Sequence, residues 1–331
     1  MLPYRLPMRR LLPGPVTAAA VAALALTLTA CNAQEDKPEP GSDVSQVVDE
    51  AEVTPDRYVA LGDSYTAAPL RRLPDKVKGC MRSKKNYPHL VAAELDNTKL
   101  VDVSCSGAST DSLFDRQGFD HGGSQRPPQL DALTPDTDLV TVSIGANDFR
   151  LFRQMIIECL AIAETDPRGA PCRESNNRGK QDRLAHTIDL IEPRVRRVVE
   201  DIRERAPQAR VLFVGYPRLL PSTGSCAHRL PLADGDYDYA RGLNERLAEA
   251  VRDGGISGGA EYVNLYDASQ DHDICSDEPW IAGIRGVHRQ AMGMHPYPDE
   301  QRAVADLILA KLELPAPALE GSMGNPTIDN G

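Results

Sequence analysis

Five short runs of the chain are apolar on nearly every residue: Tyr58–Leu61, Leu100–Ser104, Leu139–Ser143, Val211–Gly215 and Tyr262–Leu265. Their length and their β-branched and aliphatic residues predict strands. The lack of polar alternation predicts burial on both faces, the habit of parallel sheets. Helical periodicity fills the intervals. Tyr87–Leu95 is one such stretch, and Gln181–Arg205 repeats Leu184, Ile188, Ile191, Val195, Val198 and Ile202 at helical spacing. Pro193 interrupts the second and predicts a kink or a division into two helices. Tyr237–Val251 and Asp299–Leu312 follow, the last with Val304, Leu307, Ile308 and Leu312 on one face. Alternating strands and helices predict an α/β protein, a three-layer α/β/α sandwich around a central parallel five-stranded sheet.

The ends break this pattern. Residues 1–31 combine Arg5, Arg9 and Arg10 with an apolar run from Val16 to Ala30, too short and too closely followed by polar residues for a membrane span. The run ends in Leu28-Thr29-Ala30-Cys31, which resembles the lipobox of bacterial lipoproteins and implies acylation at Cys31. An ordinary signal peptide or a retained anchor is the alternative; Arg9-Arg10 lacks the rest of a twin-arginine motif. Residues 32–55 are polar and acidic, carry Pro38 and Pro40, and read as a disordered tether. The tail 315–331 is similar. Residues 56–314 remain for one domain, long enough to bury a full core. An exported protein, lipid-anchored on the extracellular face of the membrane or secreted, is the expectation.

Charge and cysteines narrow the classes. The net charge is −11, and loss of the leader's arginines makes the mature chain more acidic still. Without a basic stripe this argues against nucleic acid and against electrostatic docking on an anionic membrane. Of seven Cys, Cys31 is set aside; Cys80, Cys105, Cys159, Cys172, Cys226 and Cys275 form an even set in an exported chain, which suggests disulfides. Six cysteines allow about 15 pairings. Neighbour pairing (80–105, 159–172, 226–275) is preferred, because each pair would clip one loop region. No Cys-x-x-Cys pair supports zinc as the alternative, and no metal or cofactor is expected.

A doubly wound, flavodoxin-like sheet gathers functional groups at the carboxyl ends of its strands. Gly62-Asp63-Ser64 follows the first strand, Ser104-Cys105-Ser106-Gly107-Ala108 the second, Gly145-Ala146-Asn147-Asp148 the third, and Met294-His295-Pro296 precedes the last helix. A hydroxyl on a tight strand-to-helix turn can project into a cleft, where a base removes its proton. His295 is the natural base, since neutral imidazole titrates near working pH. The backbone N–H groups of Ser64 and Gly107 and the side-chain amide of Asn147 could converge as an oxyanion hole. Asp63 and Asp148 are better suited to pinning their turns than to moving protons. Each motif alone is weak; together, in this order, they resemble the four signature blocks of the SGNH/GDSL hydrolases, from Arg57 to about Leu312. The resemblance implies an ester hydrolase with an acyl-Ser64 intermediate. Within the family the chain resembles secreted actinobacterial esterases and lipases, with which it shares six cysteines, Gly215-Tyr216-Pro217 and the Cys275…Pro279-Trp280-Ile281 segment.

One departure stands out. The family usually places Asp three residues before the His, and here that residue is Met292. A Ser–His dyad is therefore expected, with the Met292 backbone carbonyl orienting the imidazole. Asp267, Asp271 or Asp273 could instead complete a triad. His288 is the only plausible substitute base; the other histidines fall in helix patterns or polar loops. Phe149–Ala163 reads either as a core helix or as a wall or lid for an acyl chain. With one Trp in the chain, an extended sugar-stacking platform is disfavoured. The expected substrates are small-molecule or lipid esters, the expected state a monomer. The rivals are a cell-envelope glycan acetylesterase or acyltransferase using the same site, and a non-enzymatic lipoprotein on a decayed hydrolase fold. The second is disfavoured because all four signature residues are present.

Overall fold

Five parallel strands lie in the order β2-β1-β3-β4-β5: β1 (Arg57–Gly62), β2 (Lys99–Asp102), β3 (Leu139–Ser143), β4 (Arg210–Val214) and β5 (Glu261–Val263). The computed structural model describes residues 54–69, 79–118, 125–177, 179 and 181–313, all within one compact unit that begins at Glu52. The leader with Cys31, the tether as far as residue 53 and the tail from residue 315 lie outside the described residues.

Apolar runs without alternation are explained by what each strand face meets. Along β1, Val59 and Leu61 enter one apolar cluster and Tyr58 and Ala60 the other, as the two-residue period of a strand requires. The first cluster is closed by α7 (Arg183–Asp189), α8 (Ile191–Arg205) and α9 (Tyr237–Ser257). The second is closed by α2 (Tyr87–Glu94) and α11 (Pro298–Lys311). The three layers are thus those expected. Short helices complete the chain: α1 (Ser64–Ala67), α3 (Asp111–Phe114), α4 (Leu151–Arg153), α5 (Cys159–Ala163), α6 (Pro171–Asn176) and α10 (Leu265–Ala268).

Element ends shift by a residue or two, for local reasons. β2 stops early because the Asp102 carboxylate accepts from both the Ser104 N–H, at 2.9 Å, and the Ser104 hydroxyl, at 2.7 Å. β5 stops before Asn264, whose side chain caps α10 through the Asp267 N–H. The long helical stretch divides at Leu190, and Pro193 falls in the first turn of α8, where its missing N–H costs little. The cysteines pair as Cys80–Cys105, Cys159–Cys172 and Cys226–Cys275.

Candidate active site

Ser64 opens α1 directly after β1. The turn that presents it is fixed on every side. Gly62 has φ +149°, and a Cβ there would sit 2.3 Å from the Thr66 hydroxyl, so only glycine fits. The buried Gln129 side chain brackets the Gly62 peptide, accepting from its N–H at 2.8 Å and donating to its carbonyl at 2.9 Å. Asp63 caps the helix, with Oδ1 accepting from the Tyr65 N–H at 2.8 Å.

The next two loops close against this turn. Gly107 follows β2 with φ +78°; a Cβ would meet nothing closer than 3.9 Å, so backbone conformation rather than space calls for glycine. The Cys80–Cys105 bridge holds this loop, and the Ser106 N–H donates to the Cys80 carbonyl at 3.0 Å. Asn147, after β3, donates from Nδ2 to the Ala108 carbonyl at 3.0 Å and reaches Asp63 Oδ2 at 3.4 Å. Asp148 behind it is buried and accepts from the Thr110 N–H (2.7 Å), the Thr110 hydroxyl (2.5 Å) and Arg194 Nε (2.6 Å). Both aspartates thus pin turns, as expected. Among the described residues, the main-chain N–H groups of Ser64 and Gly107 donate to no protein acceptor.

His295 approaches from the loop before α11. The Tyr65 hydroxyl donates to the Met294 carbonyl at 2.9 Å, and Gln301 Nε2 donates to the Tyr65 carbonyl at 2.9 Å. These two bonds tie the residue after Ser64 to both flanks of His295. The Tyr65 and His295 rings lie 5.9 Å apart, and Phe152 stands 6.2 Å from each. Ser64 and His295 make no direct hydrogen bond among the described residues, a looseness common before substrate tightens a site.

The carbonyl facing the imidazole corrects the expectation. His295 Nδ1 lies 2.7 Å from the Gly293 carbonyl. The Met292 carbonyl instead accepts from the His295 main-chain N–H at 3.1 Å. A left-handed Met294, φ 62°, turns the chain so that residue 293 presents its oxygen to the ring. A carbonyl only accepts, so Nδ1 carries the proton and Nε2 keeps its lone pair. Burial holds the imidazole below its usual value, against the opposing pull of the Gly293 carbonyl. Neither Asp267 nor Asp273 reaches the ring: Asp267 accepts from Asn264, and Asp273 from the Cys275 N–H.

Tyr216 is the residue whose role escaped sequence reasoning. Its hydroxyl donates to Asp63 Oδ2 at 2.6 Å and accepts from the Ala146 N–H at 3.1 Å, joining the turn of Ser64 to the loop of Asn147. Burial pushes Asp63 up to about 7, with the Tyr216 bond the foremost opposing influence. The Gly-Tyr-Pro tripeptide was its only signal. Gln129 and Arg194 left none.

Residues 60–299 match the GDSL-like Lipase/Acylhydrolase family. The chain belongs to that family. It is 36% identical over 300 residues to Lipase 2 of Streptomyces coelicolor, covering 84% of this chain and 91% of that protein. It is also similar to the crystal structure of phospholipase A1 from Streptomyces albidoflavus NA297, at 26% identity and TM-score 0.62, over 77% of this chain and 98% of that one. An extracellular lipase from Streptomyces rimosus shares the fold at TM-score 0.62 and 24% identity, over 77% and 98%. The GDSL chain is accordingly an enzyme that hydrolyses ester bonds. No helix among the described residues is long and apolar enough to cross a membrane.

Proposed function

We propose that Ser64 is the nucleophile of a carboxylesterase or lipase that works through an acyl-serine intermediate. The observation that carries the reading is the convergence of four loops: Asn147 bonded to both Ala108 and Asp63, and the His295 loop tied to Tyr65. His295 Nε2 takes the Ser64 proton as the hydroxyl attacks the ester carbonyl, then returns it to the departing alcohol. The Gly293 carbonyl keeps the imidazole in the required tautomer without supplying a negative charge, so the pair acts as a dyad. The free N–H groups of Ser64 and Gly107 and the Asn147 proton, held only loosely by Asp63, receive the developing oxyanion. Water then releases the acid. Export through the 1–31 leader, with lipid attached at Cys31, would set the enzyme on the outer face of the membrane.

Turnover of p-nitrophenyl esters tests the assignment. The wild-type protein is expected to hydrolyse them, and Ser64→Ala to retain less than about 10⁻³ of that rate. Release of acetate from glycans, or acyl transfer to an added alcohol in preference to water, with no ester hydrolysis, would instead favour the acetylesterase or acyltransferase reading.

A further inference from the structure

The side chain of Arg194 ties together the two loops that carry Gly107 and Asn147. It donates from Nε to Asp148 Oδ2 at 2.6 Å, and to the Thr110 hydroxyl oxygen at 2.9 Å. A terminal nitrogen of the same guanidinium bonds the Asp111 carboxylate. Its central carbon lies 5.0 Å from the centre of the Phe149 ring. Thr110 and Asp111 stand three and four positions after Gly107, and Asp148 and Phe149 directly follow Asn147. One planar group therefore grips both loops just beyond their proposed oxyanion donors.

The anchor is rigid and the loop needs one. Arg194 lies in the first turn of α8, between the fully buried Ile191 and Val195. Both pack under the third site loop: a Cβ on Gly145 would sit 2.9 Å from Ile191 and 3.4 Å from Val195. Beyond Asn147 the loop is strained, with Phe149 and Arg150 both left-handed at φ 52° and 61°. Bulky residues keep that conformation only where their surroundings impose it. The Asn147 side chain has one good bond of its own, to the Ala108 carbonyl at 3.0 Å, and a long one to Asp63 at 3.4 Å. Its distance from the Gly107 N–H thus depends on how the two loops are spaced.

We propose that Arg194 is a positioning residue of the oxyanion hole, its guanidinium fork setting the spacing between the Gly107 N–H and the Asn147 amide. The inference rests on the acyl-serine reading above and deepens it. Donors stabilise an oxyanion only when they are already aimed at the place where its charge develops. A shift of either loop is felt in the transition state and hardly at all in the bound ester. Charge alone does not meet the requirement. A lysine ammonium is a single point charge that can pair with Asp148, but it lacks the fork that bonds Asp148 and Asp111 from opposite edges and the flat face that covers Phe149.

The test measures p-nitrophenyl butyrate turnover, per active site titrated to completion with a fluorophosphonate, in the wild-type protein, Arg194→Met, Arg194→Lys, Asn147→Ala and the Asn147→Ala/Arg194→Met pair. Arg194→Met is expected to lower kcat per titrated site about 10–100-fold, with KM within about twofold of wild type. Arg194→Lys, which keeps a charge for Asp148, should recover part of that loss. In the Asn147→Ala background, Arg194→Met should cost less than about threefold more, because the residue it positions is already gone. If the methionine variant does not fold, the lysine variant in both backgrounds carries the same comparison. A loss that appears only as fewer titratable sites, a rise in KM alone, full recovery with lysine, or an equal loss in both backgrounds overturns the role of Arg194 alone. A wild-type protein that neither turns over any ester nor takes the fluorophosphonate overturns the Ser64 reading beneath it.

Discussion

Removing one oxygen atom, in Tyr216→Phe, should weaken both the fold and the site. The hydroxyl makes two buried bonds, 2.6 Å to the Asp63 carboxyl and 3.1 Å from the Ala146 N–H. Losing the first removes about 1.5–3 kcal/mol when the carboxyl is ionised and less when it is neutral; the orphaned N–H adds about 1–3 kcal/mol. Below pH 7, where the carboxyl is neutral and its bond is worth about 0.5–1.5 kcal/mol, the two together give a loss of about 1.5–4.5 kcal/mol. Its pH dependence has a definite sign. Asp63 is raised to about 7 in the folded protein, above its unfolded value. The folded state therefore holds the extra proton, and stability falls as pH rises from about 4 through 7. The Tyr216 bond favours the ionised form, so its loss pushes the folded value higher still. Below pH 7 the difference between wild type and variant should be constant. Above pH 7 it should grow by up to about 1.4 kcal/mol per unit until the new value is reached. Urea unfolding at pH 5, 6, 7, 8 and 9 measures this directly, with kcat followed in parallel. A loss below about 0.5 kcal/mol, unchanged across that range, would refute the reasoning.

Three further expectations concern separate parts of the structure. Asn147→Ala should reduce kcat about 10²–10³-fold with little change in KM, because the role proposed for the amide is on the oxyanion rather than on the bound ester; an equal effect on KM alone would point to ground-state binding. The kcat/KM profile should rise with an inflection below 6.5, where the buried His295 becomes neutral, and stay flat above it; an inflection well above 7 that persists in Asp63→Asn would contradict this. Glu300, fully buried and bonded to Gln301, is pushed up to about 8 by burial. Its neutral form is the one the fold holds, so stability should fall from about pH 4.5 to 8, by at most about 5 kcal/mol. Urea midpoints of Glu300→Gln should lack that decline, and parallel curves for the two proteins would show that Glu300 is not its source.

The sheet was legible because burial on both faces leaves continuous apolar runs, as Val59–Leu61 and Leu139–Val142 show. The site loops were legible because glycines and polar residues interrupt those runs at strand ends. What could not be read depends on folded geometry. Tyr216 sits 153 positions from Asp63 and Gln129 67 positions from Gly62, so neither partner is visible locally. The choice between the Met292 and Gly293 carbonyls turned on one left-handed residue, Met294, whose conformation no local pattern announces. The division of Gln181–Arg205 into two helices was one of the two outcomes Pro193 announced, but the break falls at Leu190, before the proline. Proline is tolerated in a first turn, so Pro193 marked the neighbourhood of a helix start rather than a kink.

The most direct measurement is peptide mapping of a fluorophosphonate adduct. A single modified residue, Ser64, is predicted in the wild-type protein, with no adduct in Ser64→Ala and much slower labelling in His295→Ala. Full labelling of Ser64→Ala, or an adduct on any other residue, would contradict the assignment of the nucleophile.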